Sequence, residues 1–158
     1  MNLLPLFQWL EASLVGEAIR ASLWLFPAIE CLHLLGLVLL GGSVLIVDMR
    51  LLGLGLRGQA VSDIGREAER WMLAGIGVML ASGLPLFLSE AVKCYYSTAF
   101  WVKMLTLAPA IAFALTVRRR VVSAEDGRVG RVGQTLAALA SLGLWFTVAA
   151  GGRWIGFS

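Results

Sequence analysis

The sequence offers little for acid–base chemistry. It holds one histidine, His33, and two cysteines, Cys31 and Cys94, in 158 residues. One histidine excludes a bis-histidine haem within a single chain, and most catalytic acid–base constellations with it. No phosphate-binding loop, dinucleotide fingerprint, zinc motif or hydrolase elbow occurs. Charged residues make up 15% against 59% hydrophobic, and mean hydropathy is +0.83. That is too little charge for a soluble domain of this length. The apolar runs do not alternate with polar residues, so a transmembrane barrel is excluded as well. The net charge of +3 comes from arginines flanking apolar runs, which reads as membrane topology and not as a nucleic-acid surface. Cys31 falls inside an apolar run and Cys94 in a connection beyond another, so no disulfide is expected.

What remains is an all-α integral membrane protein, because helices satisfy their own backbone in lipid. The pattern predicts one membrane domain over residues 1–158, with four spans at about 21–47, 71–88, 100–117 and 134–154. The last span has its apolar part ending at Ala150, before Gly151, Gly152, Arg153 and Trp154. Ahead of the spans, Leu3, Leu6, Phe7, Leu10, Leu14 and Ala18 recur at helical spacing. They predict a short interfacial amphipathic helix over about 3–20. A signal peptide is the rival reading, but a basic leader and small-residue cleavage site are missing. Residues 51–70 read as a loop or surface segment, and Arg118, Arg119 and Arg120 as a sharp stop to the third span.

The two connections at one end carry Arg50, Arg57, Arg66, Arg70, Arg118, Arg119, Arg120, Arg128 and Arg131. The other side has Arg20, Lys93 and Arg153. The positive-inside rule then puts both arginine-rich loops in the cytoplasm and both termini outside, periplasmic in a bacterial inner membrane. Trp24, Trp101 and Trp154 fall near one interface and Trp71 near the other.

Inside the first span stand two groups that lipid rejects, Glu30 and His33, three residues apart on one helix face. Neutral imidazole is the commonest metal ligand, and helical bundles hold cofactors between facing helices. Haem b bound through His33 fits this setting. Gly36, one turn on, leaves space for a flat ligand or a close helix. Glu30 is placed to accept the other imidazole N–H. The competing reading is an interhelical hydrogen bond from His33 to Glu30, a serine or a threonine.

Lys103 sits one turn into the third span, either snorkelling to the interface or pairing with Glu30 or a propionate, or serving as sixth ligand. Arg153 is an interfacial anchor or a propionate or lipid clamp. Met79 matches His33 in depth and is a candidate second metal ligand, although membrane methionines usually pack. A Cu(I) site from His33, Cys31 and methionines is hindered, since residues two apart face different ways.

Two stretches carry a resemblance. His33-Leu-Leu-Gly36 followed by Gly41-Gly42, and later Phe100-Trp-Val-Lys103-Met-Leu, are similar to core helices of CopD-like copper-resistance domains and HemJ-type protoporphyrinogen oxidases. In the HemJ type the resemblance implies haem b on the histidine and an essential lysine. The chain as a whole resembles an uncharacterised family of small four-span bacterial inner-membrane proteins, most typically over residues 23–54.

The expected function is b-type haem binding in electron transfer, between quinol and a periplasmic partner or within a small redox-complex subunit. A homodimer sharing one haem through paired His33 residues stays open. So do a protoporphyrinogen oxidase-like enzyme and a non-haem structural, transport or copper-handling module.

Overall fold

A computed structural model describes residues 3–55, 58–124 and 129–156. Arg57 and Arg128, which contribute to the charge bias above, lie outside the described residues. The described chain is helical throughout, with four helices long and apolar enough to cross a membrane. The protein is an all-α four-helix membrane bundle. Outward-facing apolar side chains such as Leu23, Leu14, Trp24 and Phe146 suit lipid and its interface.

The N-terminal segment is two short helices where the sequence predicted one: α1 (Leu4–Glu11) and α2 (Leu14–Ala21). Ser13 breaks them, because its side chain accepts from the Gly16 N–H and caps α2. The first span, α3, runs Leu25–Leu51. Ser22 Oγ accepts the N–H groups of Trp24 and Leu25 at its start. Its end is a Schellman turn with Gly53 at φ 74°, where Gly53 N–H reaches Arg50 and Leu54 N–H reaches Met49.

The second span, α4, runs Val61–Ser89 and starts ten residues before the predicted Trp71. The second half of the segment read as loop or surface, residues 61–70, is an amphipathic continuation of the helix, and the connection lies before it. Val61, Ile64, Gly65 and Ala68 are buried at helical spacing, in a cluster with Val47, Leu51, Val122 and Ala138. Only the opposite face, with Ser62, Asp63, Arg66, Glu67 and Arg70, is exposed.

A short helix α5 (Ala91–Tyr96) leads into α6 (Thr98–Phe113). The third span then passes through a π-helical turn, Ala114–Arg118, into α7 (Arg119–Ser123). The expected stop at the triple arginine is therefore incorrect. A π turn shifts the helical phase. Here Arg118 is buried while Leu115, Thr116 and Val117 stay exposed. The last span, α8, runs Arg131–Ile155.

The α3–α4 pair is the tightest in the bundle because glycine lets backbones meet. A Cβ on Gly75 would lie 2.6 Å from the Leu40 backbone nitrogen, and one on Gly36 would lie 2.8 Å from Val78. Gly75→Leu is expected to force α3 from α4 and cost about 1–3 kcal/mol or more. Unfolding of the purified variant in detergent checks this; an unchanged midpoint would refute the close packing. α6 packs on α8, and α8 on α3. A central core of Leu40, Val44, Met72, Ala110, Ala114, Trp145 and Val148 joins all four spans.

Candidate functional site

His33 lies in the third turn of α3, opposite Ser82 and Gly83 of α4. A Cβ on Gly83 would sit 3.2 Å from His33 Cε1, so the imidazole rests against bare backbone. His33 Nδ1 is 2.8 Å from Ser82 Oγ. Ser82 Oγ is in turn 2.6 Å from the Val78 carbonyl oxygen. Two oxygens that close need a proton between them, and a serine hydroxyl has only one. Ser82 therefore donates to Val78 and accepts from His33 Nδ1–H. In the neutral ring, this tautomer leaves Nε2 unprotonated. The Met79 backbone is the ring's other polar neighbour.

The hydrogen-bond partner of the imidazole is thus Ser82, the interhelical serine of the competing reading, and not Glu30. Glu30 is exposed. Spacing on α3 made the two neighbours along one helix, but the ring turns onto α4. Gly36 is buried, and the space it frees is filled by Val78 and Met79. Met79 is half-buried and packs against the central core.

Lys103 is half-buried on α6, and its stem crosses two glycines of α8. A Cβ on Gly151 would be 3.1 Å from Lys103 Cβ, and one on Gly152 3.4 Å from Lys103 Nζ. Its ammonium is an electrostatic neighbour of His33. Among the described residues no carboxylate forms an ion pair with it. Arg153 follows directly after these glycines and is exposed. One turn beyond this layer, an aromatic lid closes the bundle. Phe87 and Phe100 stack at 5.5 Å, and Phe7 of α1 meets Phe87 edge-on at 5.6 Å and Tyr95 at 5.3 Å. Glu11 and Arg20 pin the lid down. The Val92 N–H donates to the Glu11 carboxylate at 2.6 Å, and Arg20 donates to the Ser89 carbonyl at 3.0 Å.

The other half of the bundle holds a buried ion pair. Arg118 Nε lies 3.2 Å from Asp48 Oδ1, with side-chain exposures of 5% and 0%. Ser141 faces the same carboxylate, and Met72 Sδ and the Ser43 and Val44 carbonyls surround the guanidinium. Asp48 Oδ2, Ser141 Oγ and Trp145 Nε1 lack a hydrogen bond of ordinary geometry among the described residues. Fifteen residues separate Asp48 from His33 on α3, about 22 Å along the helix.

Residues 6–158 match the model of the DUF6644 family, a family of unknown function. The chain belongs to the DUF6644 family. No curated protein and no solved structure matches it. In this DUF6644 member, no three His, Cys, Asp or Glu side chains converge as a metal cage among the described residues.

Both cysteines of this DUF6644 chain are free, Cys31 exposed and Cys94 buried. Cys94 lies on α5, outside the spans. Burial, with the Glu90 carboxylate adding to it, pushes its thiol up to about 11. The thiolate is the nucleophile, so Cys94 is protonated and inert through neutral pH. Maleimide labelling of a Cys31→Ser variant is expected to stay negligible up to about pH 9 and to rise only as the pH nears the raised value. Rapid labelling at pH 7 would show an open thiol.

Ser82 and the Asp48–Arg118 pair were not singled out in the sequence. One serine among several carries no mark, but Asp48 gave a signal. It stands within helical reach of an apolar span, where a carboxylate needs a partner.

Proposed function

We propose that this protein binds b-type haem through His33 Nε2 and serves in electron transfer. The observation that carries this reading is the Val78–Ser82–His33 chain of hydrogen bonds. It fixes the ring and presents an unprotonated nitrogen within the membrane, as the outer partner of a ligating histidine does elsewhere. Lys103, and Arg153 beyond it, supply cations at the same end for propionates. Leu32, Leu34 and Leu35, exposed beside His33 on α3, offer a porphyrin apolar contact. Haem, when bound, supplies a one-electron couple whose potential follows ligand, burial and nearby charge. The chain's own task is to hold the imidazole, keep its tautomer and exclude water beneath the aromatic lid.

The proposed setting is a bacterial inner membrane with the arginine-rich end in the cytoplasm and both termini periplasmic. Arg50 and Arg131 line one pocket at that end, and Arg66, Arg118 and Arg119 another, which supports a single basic face. Quinol or a periplasmic redox protein is the proposed partner, and a second copy could supply the sixth ligand.

The electrostatic influence of Lys103 on His33 favours a second reading, a porphyrinogen oxidase-like enzyme, because the HemJ resemblance rests on those two residues. Complementation of a strain lacking that oxidase discriminates: growth supports the enzyme, and failure leaves electron transfer.

Absorption spectra of the purified protein, oxidised and dithionite-reduced, test the haem itself. A Soret band with sharp α and β bands on reduction is the expected result. Tryptophan absorption alone, after haem-supplemented expression, overturns it. Ser82→Ala is expected to weaken haem retention by about 10–100-fold, since the ring loses its orienting acceptor. Unchanged retention would remove Ser82 from the site.

A further inference from the structure

A cavity of about 400 Å³ lies between the exposed end of α4 and the π turn and α7 of the third span. Arg118 stands in its wall, nine-tenths buried. Its guanidinium is poorly satisfied. Nε has Asp48 at 3.2 Å, but among the described residues Nη1 meets only Met72 Sδ at 3.4 Å. Nη2 reaches the Ser43 and Val44 carbonyls at 3.5 Å, the far limit of a hydrogen bond. Sulfur is a weak acceptor.

Arg66 and Arg119 also line the cavity, with side chains 74% and 63% exposed. Each uses part of its fork on one carboxylate. Arg66 Nη2 holds Asp63 at 2.6 Å, and Arg119 Nε holds Glu69 at 3.2 Å. An arginine has five N–H donors, so each keeps donors over. Ser62 and Ser123 add hydroxyls to the same wall. The acids Asp48, Asp63 and Glu69 balance the three arginines, so the cavity is a donor-rich pocket and not a bare positive patch.

The cavity depends on a close approach of backbone and side chain. A Cβ on Gly65 would overlap Val122 Cγ1, so only glycine lets α7 settle here. The π turn brings Arg118 inward, and α7 places Arg119 at the mouth.

The geometry points to a binding site for a phosphate-bearing anion, with Arg118 at the floor and Arg66 and Arg119 at the mouth. Tetrahedral oxyanions accept from several arginine forks at once. Basic pockets between membrane helices take phospholipid headgroups in this way, and a free phosphate ester offers the same chemistry.

The full chain, purified in detergent, separates these sources. Inorganic phosphate is titrated by calorimetry, and phosphatidylglycerol retention is measured by native mass spectrometry. Binding of either probe, weakened at least tenfold by R66Q/R119Q, is the expected result. Phosphate binding marks a soluble ligand; phosphatidylglycerol retention without it marks a headgroup. R70Q/R120Q removes two exposed arginines outside the cavity and is expected to leave binding unchanged. D48N/R118Q removes the floor cation together with its counter-charge, and is expected to abolish binding in a protein that still folds. Binding of neither probe, or equal losses in R66Q/R119Q and R70Q/R120Q, overturns the site.

Discussion

Replacing His33 by alanine is expected to abolish bound haem completely while the bundle still assembles. No second histidine exists to take over, so no partial occupancy through an imidazole can survive. The fold should tolerate the change. His33 is only partly buried, and its hydrogen bond to Ser82 spans one helix pair. Interhelical polar contacts of this kind contribute about 0.6 kcal/mol on average in membranes. Gly36 and Gly75 hold α3 against α4 without it. The measurement is the Soret-to-280 nm ratio of wild type and variant, beside a unfolding curve in detergent. Full haem content in His33→Ala would sink the assignment; a variant that fails to assemble would show that the histidine is structural first.

A second large effect is expected at the opposite end. Arg118→Met leaves the Asp48 carboxylate buried without its cation, and Asp48→Leu strands the guanidinium. Breaking a buried pair on one side costs about 3–5 kcal/mol, because the remaining charge keeps its desolvation penalty. Removing both at once is expected to cost far less, since an apolar pair of similar volume needs no solvation. Asp48→Leu combined with Arg118→Met should therefore recover most of the stability lost by either single change. Unfolding of the four proteins in one detergent gives the cycle. Single variants within about 1 kcal/mol of wild type would mean that water reaches the pair freely.

The spans were legible because an apolar run of that length has few other places to go. Their boundaries were less so. Residues 61–70 look like a charged loop in one dimension, but four buried small or branched residues at helical spacing make them helix. Arg118 shows the limit of charge as a stop signal. Three consecutive arginines suggest water, and a π turn can put the first of them in the core while the other two stay exposed. His33 was legible because a lone titratable group in lipid has to be explained. Its partner was not, because helical spacing tells which residues are neighbours on one helix and not which facing helix each will meet. Glu30 and Ser82 were equally open to the ring until α4 was in place. Lys103 was visible as an anomaly, but its path over Gly151 and Gly152 needed the packing of α6 on α8.

The lid has a consequence for how the chain is made. Glu11 and Arg20 find their partners on Val92 and Ser89, which leave the ribosome 81 and 69 residues later. The first two helices therefore emerge with nothing to dock on. They wait at the membrane surface, where their apolar faces are content, while α3 and α4 insert as a hairpin. Only when α5 turns the chain back can Phe7 enter its ring of aromatics. Closure of the lid is thus completed late in biogenesis: a chain halted after α4 offers Arg20 and Phe7 their partners Ser89 and Phe87, but not the Val92 N–H, Tyr95 or Phe100.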